Sequence, residues 1–433
     1  MTRQHLLAII VLLFLAAAVA GAQPTRFAVI GDFGWTGTPE SDVAALVHGW
    51  SPEFIVTTGD NNYDHGSALT IDANIGQYYH DFISPYTGTY GAGAAENRFF
   101  PCLGNHDWEA TNAQAYLDYF TLPGIERYYD FVRGPVHFYS LDVDPHEPNG
   151  IDTASVQASW LKAHLGSDPE VWKIVYMHHS PFSSCSRHGS YPVLQWPYAR
   201  WGASAVFSGH DHTYERIHHD GIPYFVNGLG GKSLYPFGTA VAGSQVRYNA
   251  NYGAMLVDAL TDSIVFQFIT RAGVTVDRTV LYRKDTSEVS LTDSWNLLSL
   301  PMGGAKRPVG EIFPGATSAP FVFRDNDFQI VDSLEPGVGF WLKFPGAAVA
   351  HVAGDSLHSL SVPVQRGWNI IGGLPLPFPA AGAITSPPDI LTTPFYGYRG
   401  LYEAADTLAP GAGYWVRASA DGLLIMTLPA AQK

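Results

Sequence analysis

The sequence predicts an α/β fold in which helices flank layers of β-sheet, followed by a small all-β region. Two patterns predict it. Five short runs rich in β-branched and aromatic residues, Phe27–Ile30, Phe54–Thr58, Phe99–Leu103, Val171–Met177 and Ala205–Ser208, are bounded by Gly or Pro and lead into oxygen and nitrogen donors. Near-continuous apolar runs of that length read as buried strands of a sheet covered on both faces. Beyond residue 293 the chain changes into an internal repeat rich in turns.

At 433 residues the chain exceeds one ordinary core, so two or three domains are expected. Hydrophobic content of 46% and aromatic content of 13% mark a packed globular protein. A formal charge of −15 disfavours nucleic acid or an anionic membrane as partner. An anionic substrate would then need local positive charge, which bound cations supply. Residues 1–22 read as a secretory signal, with Arg3, an apolar Leu6–Leu15 and a small-residue Ala20-Gly21-Ala22 cleavage site. That apolar run is short for a membrane span and no later one is longer, so the expected address is periplasmic or extracellular. With Cys102 and Cys185 the only cysteines, no disulfide scaffold is built. A single bridge and two unrelated thiols both fit.

Taken in order, Ser41–Trp50 reads as a helix capped by Ser41, with Ala44, Val47 and Trp50 at helical spacing. Residues 84–97 are a Gly-rich loop ahead of the third strand. Ser155–Leu165 is a second helix, with Gly166 as its stop. Pro223–Asn227, Ala254–Leu260, Ile264–Thr270 and Val274–Tyr282 are expected to complete a second sheet packed on the first. A core with its ligand-bearing loops thus spans roughly 24–284, and the polar stretch 285–293 reads as a linker. The repeat follows, as units of about 294–360 and 367–433. Phe321, Asp332, Leu334, Pro336 and Trp341 recur as Phe395, Asp406, Leu408, Pro410 and Trp415 at a constant offset of 74. Its tryptophans fit either two small cores or an exposed surface for a glycan or cell-surface partner.

The chemistry sits in the segments GDFG (31–34), GDNNY (59–63), GNHD (104–107), HHSP (178–181) and GHDH (209–212). Asp, Asn, Tyr and His at strand ends are donors suited to hard or borderline metals. Asp60 can bridge two cations through its two oxygens, the usual device for paired metals. Tyr63 lies three residues on, and phenolate favours a trivalent ion such as Fe(III). His210 and His212 alternate on an extended segment, so each can serve a different metal. Of the adjacent His178 and His179, the second is preferred here for its His-x-Pro pattern with Pro181.

These segments, with GDNNY and GHDHTYER intact, resemble the calcineurin-like metallophosphoesterases and, through Tyr63, the purple acid phosphatases. The resemblance covers roughly 26–284 and implies a four-layer β-sandwich flanked by helices. It further implies Fe(III) held by Asp32, Asp60, Tyr63 and His212, and a divalent Fe, Zn or Mn held by Asp60, Asn105, His179 and His210. His106 matches the family's substrate-facing histidine, with Asp107 orienting it, and His188 in RHGS looks like the second such histidine. The implied function is an exported acid phosphatase hydrolysing phosphate monoesters by metal-hydroxide attack. Alternatives are a phosphodiesterase or nucleotide hydrolase on the same centre, or a secreted binding protein with an inert phosphatase fold.

Overall fold

The computed structural model describes residues 23–110 and 112–428. The expected signal segment, 1–22, lies outside them. No helix among the described residues is long and apolar enough to cross a membrane. The chain divides into two compact units, Pro24–Asp285 with Ala353–Leu357, and Thr286–Val352 with His358 onward.

The first unit is built on two sheets. One has six strands in the order β13 (Thr275–Tyr282), β12 (Ser263–Thr270), β11 (Gly253–Ala259), β1, β2 and β3. Its centre is parallel: β1 (Thr25–Ile30) runs beside β2 (Phe54–Thr57), which runs beside β3 (Phe99–Pro101). The other has seven, in the order β10-β8-β9-β7-β6-β5-β4. There β5 (Val136–Ser140), β6 (Trp172–Tyr176), β7 (Ala205–Ser208) and β9 (Ile222–Asn227) are mutually parallel, with the antiparallel β4 (Tyr129–Arg133) at one edge. At the other edge β8 (Tyr214–His219) and β10 (Ser244–Tyr248) close the sheet in antiparallel fashion. The two sheets face each other across a shared apolar layer. Phe138 of the second sits edge-on to Phe27 and Phe54 of the first, at ring separations of 5.0 and 5.4 Å. The helix Thr38–Gly49 packs Val43, Ala44 and Val47 into the core that contains β1 and β2. The helix Val156–Ser167 packs Ala158, Leu161 and Leu165 against Val175 and Val206 of the second sheet. Helix, sheet, sheet and helix are the four layers expected.

Several details differ from expectation. The five donor-bearing runs do not share one sheet: three end strands of the first and two end strands of the second. The hydrophobic strands β11 (Gly253–Ala259), β12 (Ser263–Thr270) and β13 (Thr275–Tyr282) extend the first sheet through β1 instead of forming the second. The apolar face of β11 is covered on both sides there, which alternation along the sequence cannot reveal. The first helix begins at Thr38 with Pro39 in its first turn, and Ser41 lies inside it. Proline's preset φ and missing N–H suit that position. Ser155 does cap the second helix, accepting from Ala158 N, but Gly166 sits within it, not at its stop. Cys102 and Cys185 are both buried and free.

In the second unit, residues read as a linker belong to the strand Lys284–Leu291, because Val289 and Leu291 alternate inward into its core. The repeat is visible as two like sheets. Ser294–Ser299 pairs with Gly339–Phe344, and Gly367–Gly372 with Gly413–Ala418. Each opens on the same staple: Asn296 Oδ1 accepts from Thr292 N, and Asn369 Oδ1 from Gln365 N, at 2.8 Å. The tryptophans do not form the cores. Trp295 and Trp368 are 38% and 41% exposed, while Leu298, Leu300, Val322, Phe340 and Leu342 fill the interior of the first copy. Phe323, Trp368, Tyr396, Tyr402 and Trp415 line a cavity of about 400 Å³ that contains none of the metal-donor residues.

Phe138 joins the two sheets of the first unit and touches Phe131 as well. Phe138→Ala should therefore destabilise that unit by about 3–5 kcal/mol, read from its denaturant unfolding midpoint.

Candidate metal centre

Parallel strands bring their C-terminal ends to one edge, and all five donor segments leave the sheets there. The turns are tight. Asp32, Asp60 and His210 have φ of 54°, 53° and 64°, a left-handed backbone that non-glycine residues seldom adopt. Two glycines allow the close approach. A Cβ on Gly104 would lie 2.2 Å from Asp60 Oδ1, and one on Gly59, at φ +87°, would lie 2.7 Å from the His178 ring.

Asp60 is the centre of the cluster, 1% exposed. Its Oδ1 accepts from His106 N at 3.0 Å and lies 3.3 Å from His178 Nε2. His178 Nδ1–H donates to the Thr58 carbonyl at 2.8 Å, so Nε2 points inward, 3.1 Å from both Asn105 Oδ1 and His210 Nδ1. Among the described residues, Asp60, His178 and His210 form the group of His, Cys, Asp or Glu side chains whose ligand atoms all lie within 4.8 Å of one another. On the other side, Asp32 Oδ1 accepts from the Tyr63 hydroxyl at 3.2 Å and lies 3.3 Å from His212 Nε2. Asp32 Oδ2 accepts from His210 N at 3.0 Å, tying the two groups together. Ser233 Oγ sits 2.6 Å from His212 Nδ1 and so turns Nε2 toward Asp32.

The structure therefore brings together Asp32, Asp60, Tyr63, Asn105, His210 and His212 as the sequence suggested, but replaces His179 by His178. The reason is strand alternation. Tyr176 faces the layer between the sheets and Met177 the outer helix layer, so His178 continues the inner face while His179 does not. His179 is buried beside Tyr191 and His210, at ring separations of 4.7 and 4.3 Å, and its Nδ1 has no hydrogen-bond partner. Asp107 also has a different task. Its carboxylate accepts from Gly104 N at 2.9 Å and from Asn61 Nδ2 at 2.9 Å, capping the short helix Asn105–Glu109. Glu109 Oε1, 3.3 Å from Nδ1, is the carboxylate that faces His106. His106 Nε2 lies 3.9 Å from Asp60 Oδ2 with its ring partly open to solvent. His188 is exposed at the rim, its ring 4.1 Å from that of His210. Asp211 and Glu215, which sequence reasoning passed over, anchor its loop: Asp211 Oδ2 accepts from Gly189 N and Glu215 Oε2 from Ser184 N.

The electrostatics suit a cation. Two buried carboxylates and a buried phenol sit together, and among the described residues no lysine or arginine pairs with Asp32 or Asp60. Burial alone would push the Asp60 pKa up, yet the His178 charge beside it holds the carboxyl below its ordinary range. Burial works against a charged His178, and Asp60 overcomes it, raising its pKa to about 10. Burial lowers His179 to about 3, and lowers His210 with His178 adding to the effect. Burial, Asp60 and Asp32 all push the Tyr63 phenol well up. A buried set of Asp, Asn, His and Tyr donors, with no lysine or arginine paired to its carboxylates among the described residues, fits metal ions.

Residues 25–214 match the family model for the calcineurin-like phosphoesterases. The chain carries a calcineurin-like metallophosphoesterase domain. Its curated relatives include rabbit (Oryctolagus cuniculus) tartrate-resistant acid phosphatase type 5, 26% identical over 251 residues, covering 48% of this chain and 74% of that one. Purple acid phosphatase 17 of Arabidopsis thaliana is also 26% identical, over 249 residues, covering 48% and 68%. Among solved structures, a purple acid phosphatase from yellow lupin seeds superimposes with a TM-score of 0.49 at 16% identity, over 60% of this chain and 54% of that one.

Of the two adjacent histidines in this phosphoesterase domain, only His178 points at Asp60. His178→Ala should weaken Zn²⁺ binding by about 100-fold or more, whereas His179→Ala should change it by less than about threefold. Calorimetric titration of each variant with Zn²⁺ checks this.

Proposed function

We propose that this chain is a metal-dependent phosphoric monoester hydrolase of the purple acid phosphatase type, with a dinuclear centre that spans Asp60. The observation that carries the proposal is the position of Asp60, buried between two sets of donors that converge on it from different strands. Asp32, Tyr63 and His212 would hold an Fe(III) with Asp60, and Asn105, His178 and His210 a divalent Fe, Zn or Mn. When bound, such ions supply an activated water nucleophile near neutral pH and offset the charge that develops on the phosphoryl oxygens.

The remaining roles fall to the protein. His106 stands on the first turn of Asn105–Glu109 with its ring against Tyr63, at 4.6 Å, and partly open to solvent. There it can hydrogen-bond a phosphate oxygen or protonate the leaving alkoxide, help on the order of 10²–10⁴. His188, exposed at the rim with its ring 4.1 Å from that of His210, can serve the same leaving group. Asp107 keeps the turn that carries Asn105 and His106 in register. The relatives' names as acid phosphatases support the monoester class. Export rests on the composition of residues 1–22, and a glycan or surface partner rests on the exposed aromatics of the repeats; both belong to this proposal.

Iron-loaded protein should be purple or pink from phenolate-to-Fe(III) charge transfer and should hydrolyse an aryl phosphate monoester faster than the matching diester. Tyr63→Phe should bleach the colour with the fold retained. Colourless iron-loaded protein would remove Tyr63 from the ligand set, and preference for the diester would favour the phosphodiesterase alternative.

A further inference from the structure

At the rim of this centre one cation stands out in a chain of formal charge −15. Arg187 lies on the loop anchored by Asp211 and Glu215, next to His188, and is exposed. Its guanidinium sits over the Tyr235 ring at 4.4 Å. Tyr235 in turn stacks face to face on His212, 4.0 Å away and tilted by 6°. Arginine, tyrosine and donor histidine thus form a column rising from the cluster to solvent. Among the described residues no carboxylate pairs with Arg187.

The cation on the other wall is already matched. Lys232 Nζ lies 2.7 Å from Asp64 Oδ1 and over the Trp35 ring at 3.3 Å. Arg187 differs in being held by a ring face, which leaves the edge of its planar fork, with its N–H donors, free. A fork of that kind matches the oxygens of phosphate or carboxylate in bidentate fashion.

We propose that Arg187 selects substrates carrying a second anionic group beyond the scissile phosphate, a phosphate or a carboxylate, which its guanidinium grips while the first phosphate occupies the centre around Asp60. The inference rests on the phosphatase reading above. Its place separates it from the metal donors: the Arg187 guanidinium stands over Tyr235, which stacks on His212, and would bind the part of the substrate that stays or leaves intact. The column geometry matters as much as the charge: Tyr235 holds the guanidinium at a set height above His212, so the second anion is read at a set distance from the first.

The test compares kcat/KM for ADP, for phosphoserine and for phenyl phosphate in metal-loaded wild type, Arg187→Ala and Arg187→Lys. These carry a second phosphate, a carboxylate and neither. The ratio of ADP to phenyl phosphate, which cancels any difference in active fraction, should fall about tenfold in Arg187→Ala. It should fall less in Arg187→Lys, which keeps the charge but loses the fork. A matching fall in the phosphoserine ratio would extend the site to carboxylates, and its absence would restrict it to phosphates. The Kd of α,β-methylene-ADP, measured by calorimetry, should rise in step. Ratios and Kd unaltered in both variants overturn the proposal while leaving the phosphatase reading intact. Wild type inert toward phenyl phosphate would defeat both together.

Discussion

Everything in the first unit depends on the burial of Asp60 in a left-handed turn. Taking a carboxylate out of water costs several kcal/mol unless charge and hydrogen bonds replace the solvent. Here the backbone N–H of His106 and the ring of His178 replace it in part. The arrangement is possible only because Gly59 and Gly104 leave no side chain where His178 and Asp60 must pass. A second buried carboxylate, Asp32, and the Tyr63 phenol crowd the same space. Such a cluster is poorly compensated by protein alone, and cations are the compensation its donors suit.

The layers serve that cluster. Parallel strands at the centre of each sheet aim their ends the same way, and stacking the sheets through Phe27, Phe54 and Phe138 sets the two fans of strand ends opposite each other. Donors from β1, β2 and β3 then meet donors from β6 and β7 across the gap. One sheet could not achieve this, because neighbouring strand ends would present their donors in a row. The loop between β9 and β10 supplies Ser233 and Tyr235, which orient His212 from behind.

Much of this was legible in the sequence. Apolar runs ending in Gly-Asp, Gly-Asn and Gly-His mark strand ends, and the residues Asp32, Asp60, Tyr63, Asn105, His210 and His212 came directly from them. The choice between His178 and His179 was not legible, since it turns on where β6 leaves its ladder, and a one-residue shift reverses the face presented. The family resemblance implies Asp107 as the residue orienting His106, whereas on a helix neighbours in sequence point apart. Its spacing of three residues from Gly104 was the available signal for a cap. The assignment of β11, β12 and β13 to a sheet depends on long-range pairing with β1, which local alternation does not encode. In the repeats, the tryptophans looked like core by composition, yet the aliphatic residues between them fill the interior and leave Trp295 and Trp368 half exposed.

The central claim is that Asp60 lies between two metal ions. Anomalous scattering at the iron edge, from crystals of iron-loaded protein, tests it most directly. Two peaks about 3.5–4 Å apart, one toward His212 and Tyr63 and the other toward Asn105 and His178, are the predicted result. A single peak, or peaks lying away from the Asp60 carboxylate, would contradict the account.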